Sequence, residues 1–198
     1  MAENKWLVQL RKPFAFEDKE YTEIDLSGME RLKIDDAIDA QRQLLVEQEE
    51  ASMVLCETTT AFARIIAAKA SDLPIELFKL LPRGASRQVT ETVQDYMNTE
   101  NKVHDHVMEL EKPFKYDNKT YKDFDVSGVG DLNSMDESDA ENRLARSGFL
   151  TVQTQFNILY ACVLAAKATG LPEELFRSLP MNETAKLKNA VNDPAFFE

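Results

Sequence analysis

Cysteine, histidine and glycine are scarce in this chain of 198 residues, which holds two, two and six of them respectively. The two cysteines, Cys56 and Cys162, occupy non-equivalent helical positions, which argues against a disulfide scaffold and favours reduced thiols packed in a core. The nucleophile elbow, the phosphate loop, the dinucleotide fingerprint and the H-E-x-x-H zinc motif are all absent from the sequence. No motif therefore supports an enzyme activity.

Positive charge and long apolar runs are also lacking. The chain carries 35 acidic and 23 basic side chains, for a net charge of −12. Without a basic block, this balance argues against binding to nucleic acid or to an anionic membrane surface. The most apolar stretch, residues 156–168, is shorter than the roughly 20 residues that a membrane span requires. Because the first residues also lack a secretory signal, we expect a cytosolic protein.

The sequence does contain an internal repeat. Residues 12–28 match residues 112–128 at 8 of 17 positions, and residues 65–82 match residues 163–180 at 11 of 18. Six of the seven prolines fall into pairs under this alignment. We therefore predict two tandem units, residues 1–98 and 99–198, in an α+β, mostly helical fold with a β-hairpin and about three helices in each unit.

Each unit begins with a predicted hairpin, over residues 6–26 and 106–126, with turns at residues 17–19 and 117–119. Pro13 and Pro113 cannot donate a ladder hydrogen bond, so we place them at an edge, a bulge or a strand end. Serine and glycine then end the hairpin, at residues 27–28 and 127–128.

The helical part of each unit is predicted from periodicity and from proline. One long helix is predicted over residues 36–70, and its counterpart over residues 139–168. In the first long helix the mostly polar stretch over residues 42–51 is expected to project from its unit. Gly170 is expected to cap the second long helix in a left-handed conformation. A short segment bounded by two prolines follows. A last amphipathic helix in each unit uses an apolar face formed by Val89, Val93 and Met97, and by Leu187 and Val191.

The boundary between the units is predicted near residues 96–105, where residues 98–105 are polar and lack any periodic apolar pattern. This linker is short, so the units should lie side by side. They could pack together or exchange elements, and the sequence does not choose between these arrangements.

Two groups of residues suggest chemistry. His104, Asp105 and His106 resemble part of a zinc site, since histidines two residues apart on a strand can face the same ion. However, His106 aligns with Trp6 in the first unit, which favours a packing role, and further histidines are absent. Asp35 and Asp36 could act as an acid and a base, but nothing in the sequence indicates the pocket that would separate their pKa values. We interpret them as part of a solvated face, and predict neither catalytic residues, nor a metal, nor a cofactor.

The order of elements in each unit resembles the tail assembly chaperones of long-tailed bacteriophages. The resemblance rests on the strand pairs LRKPFAFEDKEYTEIDL and LEKPFKYDNKTYKDFDV, on the endings SDLPIELFKLLP and TGLPEELFRSLP, and on the final segment NETAKLKNAVND with its terminal Phe196 and Phe197. The motifs occur once in each unit, and the two sets together cover nearly the whole chain. These motifs consist of packing and turn residues, and the family pattern commonly has one unit where this chain has two.

The resemblance implies a non-catalytic chaperone of the host cytoplasm that binds the phage tape-measure protein, helps to recruit tail-tube subunits and is absent from the finished virion. The duplication raises the possibility of self-association, or of two fused units that replace a dimer. Two alternatives stay open: a structural component of the tail or baseplate, and a metal-dependent enzyme centred on His104 and His106. Apolar surface for a client is expected along the long helices and at Phe196 and Phe197.

Overall fold

Two β-hairpins, each followed by helices, make up the chain in the computed structural model, which describes residues 5–98, 103–104, 106–149 and 153–196. The predicted fold class, α+β and mostly helical with two repeat units, is confirmed. The strands are β1 (Leu7–Phe16), β2 (Lys19–Asp25), β3 (Val103–His104), β4 (Val107–Tyr116) and β5 (Lys119–Asp125). The helices are α1 (Ile34–Val46), α2 (Glu50–Leu55), α3 (Thr60–Ser71), α4 (Ile75–Leu80), α5 (Arg83–Met97), α6 (Ser134–Arg146), α7 (Ile158–Thr169), α8 (Glu173–Arg177) and α9 (Thr184–Val191).

The two hairpins have the same irregularity but different turns, since Asp117 and Asn118 both have positive φ whereas in the first turn only Glu17 does. Strands β1 and β2 are antiparallel and turn at Glu17, whose φ of 52° lies in the left-handed region. Their register shifts between Gln9 and Phe14, and the shift in the second hairpin occurs at the equivalent positions. Pro13 lies inside this irregular stretch, which matches one of the three predicted placements, an edge, a bulge or a strand end, because a proline there removes no regular ladder bond.

The predicted long helices are wrong, because each is interrupted. In the first unit α1 ends at Val46, and Gln48 adopts a left-handed conformation with φ 58°. The N–H of Glu49 donates to the carbonyl of Leu44 at 3.0 Å, and the N–H of Gln48 donates to that of Leu45 at 3.2 Å. These two bonds form the motif that commonly ends helices. The second unit ends α6 in the same way, with Gly148 at φ 84°.

A buried helix follows each break, directly after a 3₁₀ turn in the second unit and after the short helix α2 and a 3₁₀ turn in the first. Thr59 caps α3 by accepting a hydrogen bond from the N–H of Phe62 at 3.2 Å, and Asn157 caps α7 by accepting from Leu159 at 2.9 Å. Gly170 ends α7 with φ 67°, as predicted. Asp72 takes the same left-handed conformation at the end of α3.

The predicted positions of the prolines and of the last helices are confirmed. Pro74 and Pro172 precede α4 and α8, and Pro82 precedes α5. The predicted apolar faces of the last helices are buried in both units. The predicted linker is partly wrong, since Val103 and His104 form strand β3, which pairs with β4, while residues 99–102 and 105 lie outside the described part of the chain.

A single cluster of buried apolar side chains runs through both units. Helices α3 and α7, which carry the most apolar sequences, lie near its centre and contact the other helices of their own units. The two units therefore pack together through this shared core.

Candidate interaction surfaces

His106 takes part in packing. Its ring stacks on that of Phe196 with centroids 4.2 Å apart, and its Nδ1 lies 3.8 Å from a carboxylate oxygen of Asp193. The aligned Trp6 contacts Tyr96 edge to face at 5.1 Å. His104 lies in β3, and Asp105 lies outside the described residues. In the described part of the chain, no group of three or more His, Cys, Asp or Glu side chains is arranged to hold a metal ion.

Asp35 and Asp36 are neighbours in sequence but serve different contacts. Asp36 accepts a hydrogen bond from the N–H of Lys33 at 3.0 Å, which caps α1, and another from Lys69 at 2.9 Å. Burial alone would raise the pKa of Asp36, but these two donors outweigh it, so the pKa lies below its usual value. Asp35 instead accepts hydrogen bonds from Arg177 of the second unit at 2.7 and 2.9 Å. The structure therefore does not bring the two carboxylates into one site.

Helix α1 is held between the two units. It packs on α3 of its own unit and contacts α7, α8 and the short 3₁₀ helix Met181–Glu183 of the second unit. Ile34, Ala37 and Ile38 are fully buried there. The stretch expected to project, residues 42–51, begins after these buried residues. Within it Leu44 is buried, whereas Gln43 and residues 46–48 are exposed.

Backbone hydrogen bonds join the units at the start of α1. The N–H of Ile34 donates to the carbonyl of Leu179, and the N–H of Met181 donates to the carbonyl of Leu32, both at 2.9 Å. Met181 is completely buried, and its 3₁₀ helix contacts Ser27–Arg31, α1 and α5 of the first unit. A groove in the first unit thus receives a Leu-Pro-Met corner from the second.

Charged side chains surround this junction. Besides Asp35 with Arg177, Glu57 of the first unit pairs with Lys188 of α9. Glu183 and Lys186 form a buried ion pair beside the irregular part of β4, where Glu183 accepts from the N–H of Glu111 at 2.9 Å. Each buried charge therefore has an opposite charge or a hydrogen-bond donor, as burial demands.

The contact between the units is one-sided. In a two-fold symmetric contact, α6 would pack on the first unit as α1 packs on the second. Instead α6 buries only Ala140 and Leu144, and its outer face is exposed. The repeats are therefore joined head to tail. The first unit's groove is occupied by the second unit, and the equivalent groove of the second unit, which the chain's own Phe196 lines on one side, receives no element of the first unit among the described residues.

That open groove is a cavity of about 710 Å³ between α6, α7 and α9. Val129, Leu132, Tyr160 and Val191 form apolar walls, while Glu137 and Glu141 line the side of α6. The pKa of Tyr160 is raised, first by burial and then by the charges of these two glutamates. The groove is thus apolar inside and acidic along one edge.

A second exposed surface lies where α1 meets α2. Val46 is 78% exposed, Val54 52% and Leu55 55%, so three apolar side chains face solvent within ten residues of chain. The aligned residue of Val46 is Arg146, so this feature is not simply repeated. We define Val46, Val54 and Leu55 as the apolar corner.

The terminal aromatics were predicted as a candidate client surface. Phe196 is partly buried against the core and stacks on His106, and Phe197 lies outside the described residues. The open groove was missed by sequence reasoning. Its signal was present in the repeat alignment, where the interface residues Ile34, Ala37 and Ile38 correspond to Ser134, Glu137 and Ser138.

Comparison with protein-family models, curated proteins and solved structures finds no match to this chain. Among the described residues, the helices are all too short or too polar to cross a membrane. The interpretation of function therefore rests on the two surfaces described above and on the repeat motifs.

Proposed function

We propose that this protein is a non-catalytic tail assembly chaperone of a long-tailed bacteriophage, which binds the tape-measure protein in the host cytoplasm and aids recruitment of tail-tube subunits. The observation that carries the proposal is the apolar corner, in which Val46, Val54 and Leu55 are exposed on a chain with a net charge of −12. Exposed apolar surface can engage a client, and high net charge keeps the complex soluble.

The size of the apolar corner suits transient binding. Complete burial of an exposed valine or leucine contributes about 1.5–3 kcal/mol, and these side chains are already partly covered. Three of them supply at most about 4–5 kcal/mol before the cost of association is subtracted, so one such contact binds more weakly than about 1 mM. An assembly factor that must leave the finished tail needs such weak contacts, repeated along a long client.

Co-expression with the tape-measure protein tests the proposal. The wild-type chain should keep the client soluble and elute with it on gel filtration, whereas the triple variant Val46→Ser, Val54→Ser, Leu55→Ser should not. Leu80→Ser is the matched control, since Leu80 is also exposed, at 65%, but lies on α4. Each exposed substitution usually changes stability by no more than about 0.5 kcal/mol, so Leu80→Ser should stay within that range and the triple variant within about 1.5 kcal/mol of the wild type.

Two results would contradict the proposal. One is a wild-type chain that forms no complex and leaves the client insoluble. The other is a triple variant that protects the client as well as Leu80→Ser does. Mass spectrometry of purified virions separates the chaperone from a structural tail component, because only a component should persist in the particle.

A further inference from the structure

We propose that the open groove of the second unit binds the Leu81–Pro82–Arg83 corner of another copy of this chain, so that copies associate head to tail. The contact between the two units of one chain supports this arrangement. The groove of the first unit holds Leu179, Pro180 and Met181 of the second unit. The residues aligned with this corner are Leu81, Pro82 and Arg83, of which Pro82 and Arg83 are exposed. In its described residues each chain therefore carries both an exposed corner and an open groove.

The backbone groups needed for this contact are available. Within the chain, the units are joined through the carbonyl of Leu32 and the N–H of Ile34. Their counterparts are the carbonyl of Leu132 and the N–H of Ser134, and none of the residues that the structure describes makes a hydrogen bond to either. The same holds, within the described ranges, for the carbonyl of Leu81 and the N–H of Arg83. A second copy can therefore form the same pair of backbone bonds.

The side chains differ between the two contacts, and they differ in a complementary way. Inside the chain the contact is apolar, with Met181 against a groove that contains Ala37. Between copies, Arg83 replaces Met181, and Glu137 replaces Ala37. Arg83 is exposed in the free chain, and so is Glu137. An arginine would thus enter a groove whose edge is acidic, and opposite charges at such a contact fix the register and select the partner.

This chemistry predicts a reversible contact. The contact inside the chain has a covalent connection and apolar packing, whereas the contact between copies depends on exposed charges. Such charges are screened at high ionic strength, where the Debye length falls to about 3 Å. Because the contact is head to tail, copies add beyond two chains and form either a closed ring or an open filament.

Sedimentation velocity over a range of protein concentrations, at about 50 mM and about 500 mM salt, tests this proposal. We expect the mean mass to rise with concentration beyond two chains at the lower salt, and to return toward one chain at the higher salt. Arg83→Glu and Glu137→Arg should each weaken association by about tenfold or more, since each places like charges in contact. Both positions are exposed, so circular dichroism should show unchanged folding.

An equimolar mixture of the two variants provides the decisive measurement. Arg83→Glu keeps a wild-type groove, and Glu137→Arg keeps a wild-type corner, so the mixture should recover association that neither variant shows alone. Lys19→Glu and Glu20→Arg are matched controls, because they make the same charge changes at the tip of the first hairpin. These controls should associate like the wild type.

Three outcomes would overturn the proposal. The first is a wild-type mass of one chain at every concentration in low salt. The second is assembly that stops at two chains, which would indicate a symmetric contact. The third is a mixture of the variants that associates no better than either variant alone. None of these outcomes depends on client binding, so the chaperone proposal stands or falls separately.

Discussion

Gly28 allows the end of the first hairpin to approach helix α3, and replacing it with alanine should destabilise the protein. A Cβ atom at this position would lie 1.9 Å from the carbonyl oxygen of Ala70 and 2.9 Å from its carbon. Favourable contacts between heavy atoms need about 3.5 Å, so the 3₁₀ helix Ser27–Arg31 would have to move away by more than about 1 Å. The neighbouring Leu26 and Met29 are fully buried and would move with it.

Overpacking of this kind costs about 1–3 kcal/mol, and because the obstacle is backbone we expect about 3 kcal/mol for Gly28→Ala. The equivalent Gly128 is less tightly enclosed, with a Cβ distance of 2.5 Å to the oxygen of Ala168, so Gly128→Ala should cost about 2 kcal/mol. Gly84→Ala is the control. Its Cβ would meet nothing within 4 Å in helix α5, and we expect the variant to gain up to about 0.5–1 kcal/mol.

Urea unfolding measures these differences, and the single tryptophan makes the assay sharper. Trp6 lies in the first unit and packs on Tyr96, so its fluorescence follows that unit, while circular dichroism follows both. Because one core joins the units, Gly128→Ala should shift the fluorescence and circular dichroism transitions together. A Gly28→Ala variant as stable as the wild type would refute the reasoning. So would a Gly84→Ala variant that loses as much stability as Gly28→Ala.

Three further predictions concern single side chains. The pKa of Asp36 is lowered in the folded state, so its stabilising effect is present above about pH 4 and is lost as the pH falls through the folded value; Asp36→Asn should lower the melting temperature at pH 7 and weaken its decline in acid. Burial raises the pKa of the Cys162 thiol, so in a Cys56→Ser background this thiol should react with a disulfide reagent only after urea unfolds the protein. Ile38→Ser, which introduces the residue found at the aligned position 138, should cost about 2–5 kcal/mol in urea unfolding, whereas a loss below about 1 kcal/mol would contradict the buried position of α1.

The features that could be predicted from the sequence are those set by local chemistry. Pro13 prevents regular pairing within strand β1 wherever the hairpin packs, because it lacks an N–H. Pro74 and Pro82 bound a short helix for a related reason, and Gly170 accepts the left-handed conformation at little cost. These residues impose the same backbone geometry in both units, so the repeat alignment and the structure agree at them.

The break after α1 could not be predicted in the same way. Gly148 marks the break in the second unit, but the aligned residue is Gln48, which has no intrinsic preference for the left-handed region. The conformation at Gln48 is held by two backbone hydrogen bonds and by packing of Leu44 in the core. Tertiary contacts thus override a local preference for helix. A prediction from periodicity does not include those contacts, so it extends the helix through this position.

The direction of packing between the units also could not be predicted from the motifs of one repeat. Both units contain the Leu-Pro corner, so the motif alone does not say which copy will enter a groove. The differences between the copies decide which corner is bound, since Met181 suits an apolar groove and Arg83 does not. Aligned repeats are therefore most informative about function where they disagree.

This one-sided contact changes the meaning of the duplication. A symmetric dimer would bury the same surface twice and leave neither partner with an open end. In this chain the fusion makes the apolar contact between the units permanent. The polar counterpart of the corner stays on the first unit, and the polar counterpart of the groove stays on the second. In repeat proteins, terminal units with polar outer faces keep the array soluble. Polar Ser134, Glu137 and Ser138 fit that role, and the backbone groups beside them make no hydrogen bond to the described residues. In the proposed head-to-tail assembly, duplication would replace the strongest step with a covalent connection, and the following steps would be sensitive to salt and concentration.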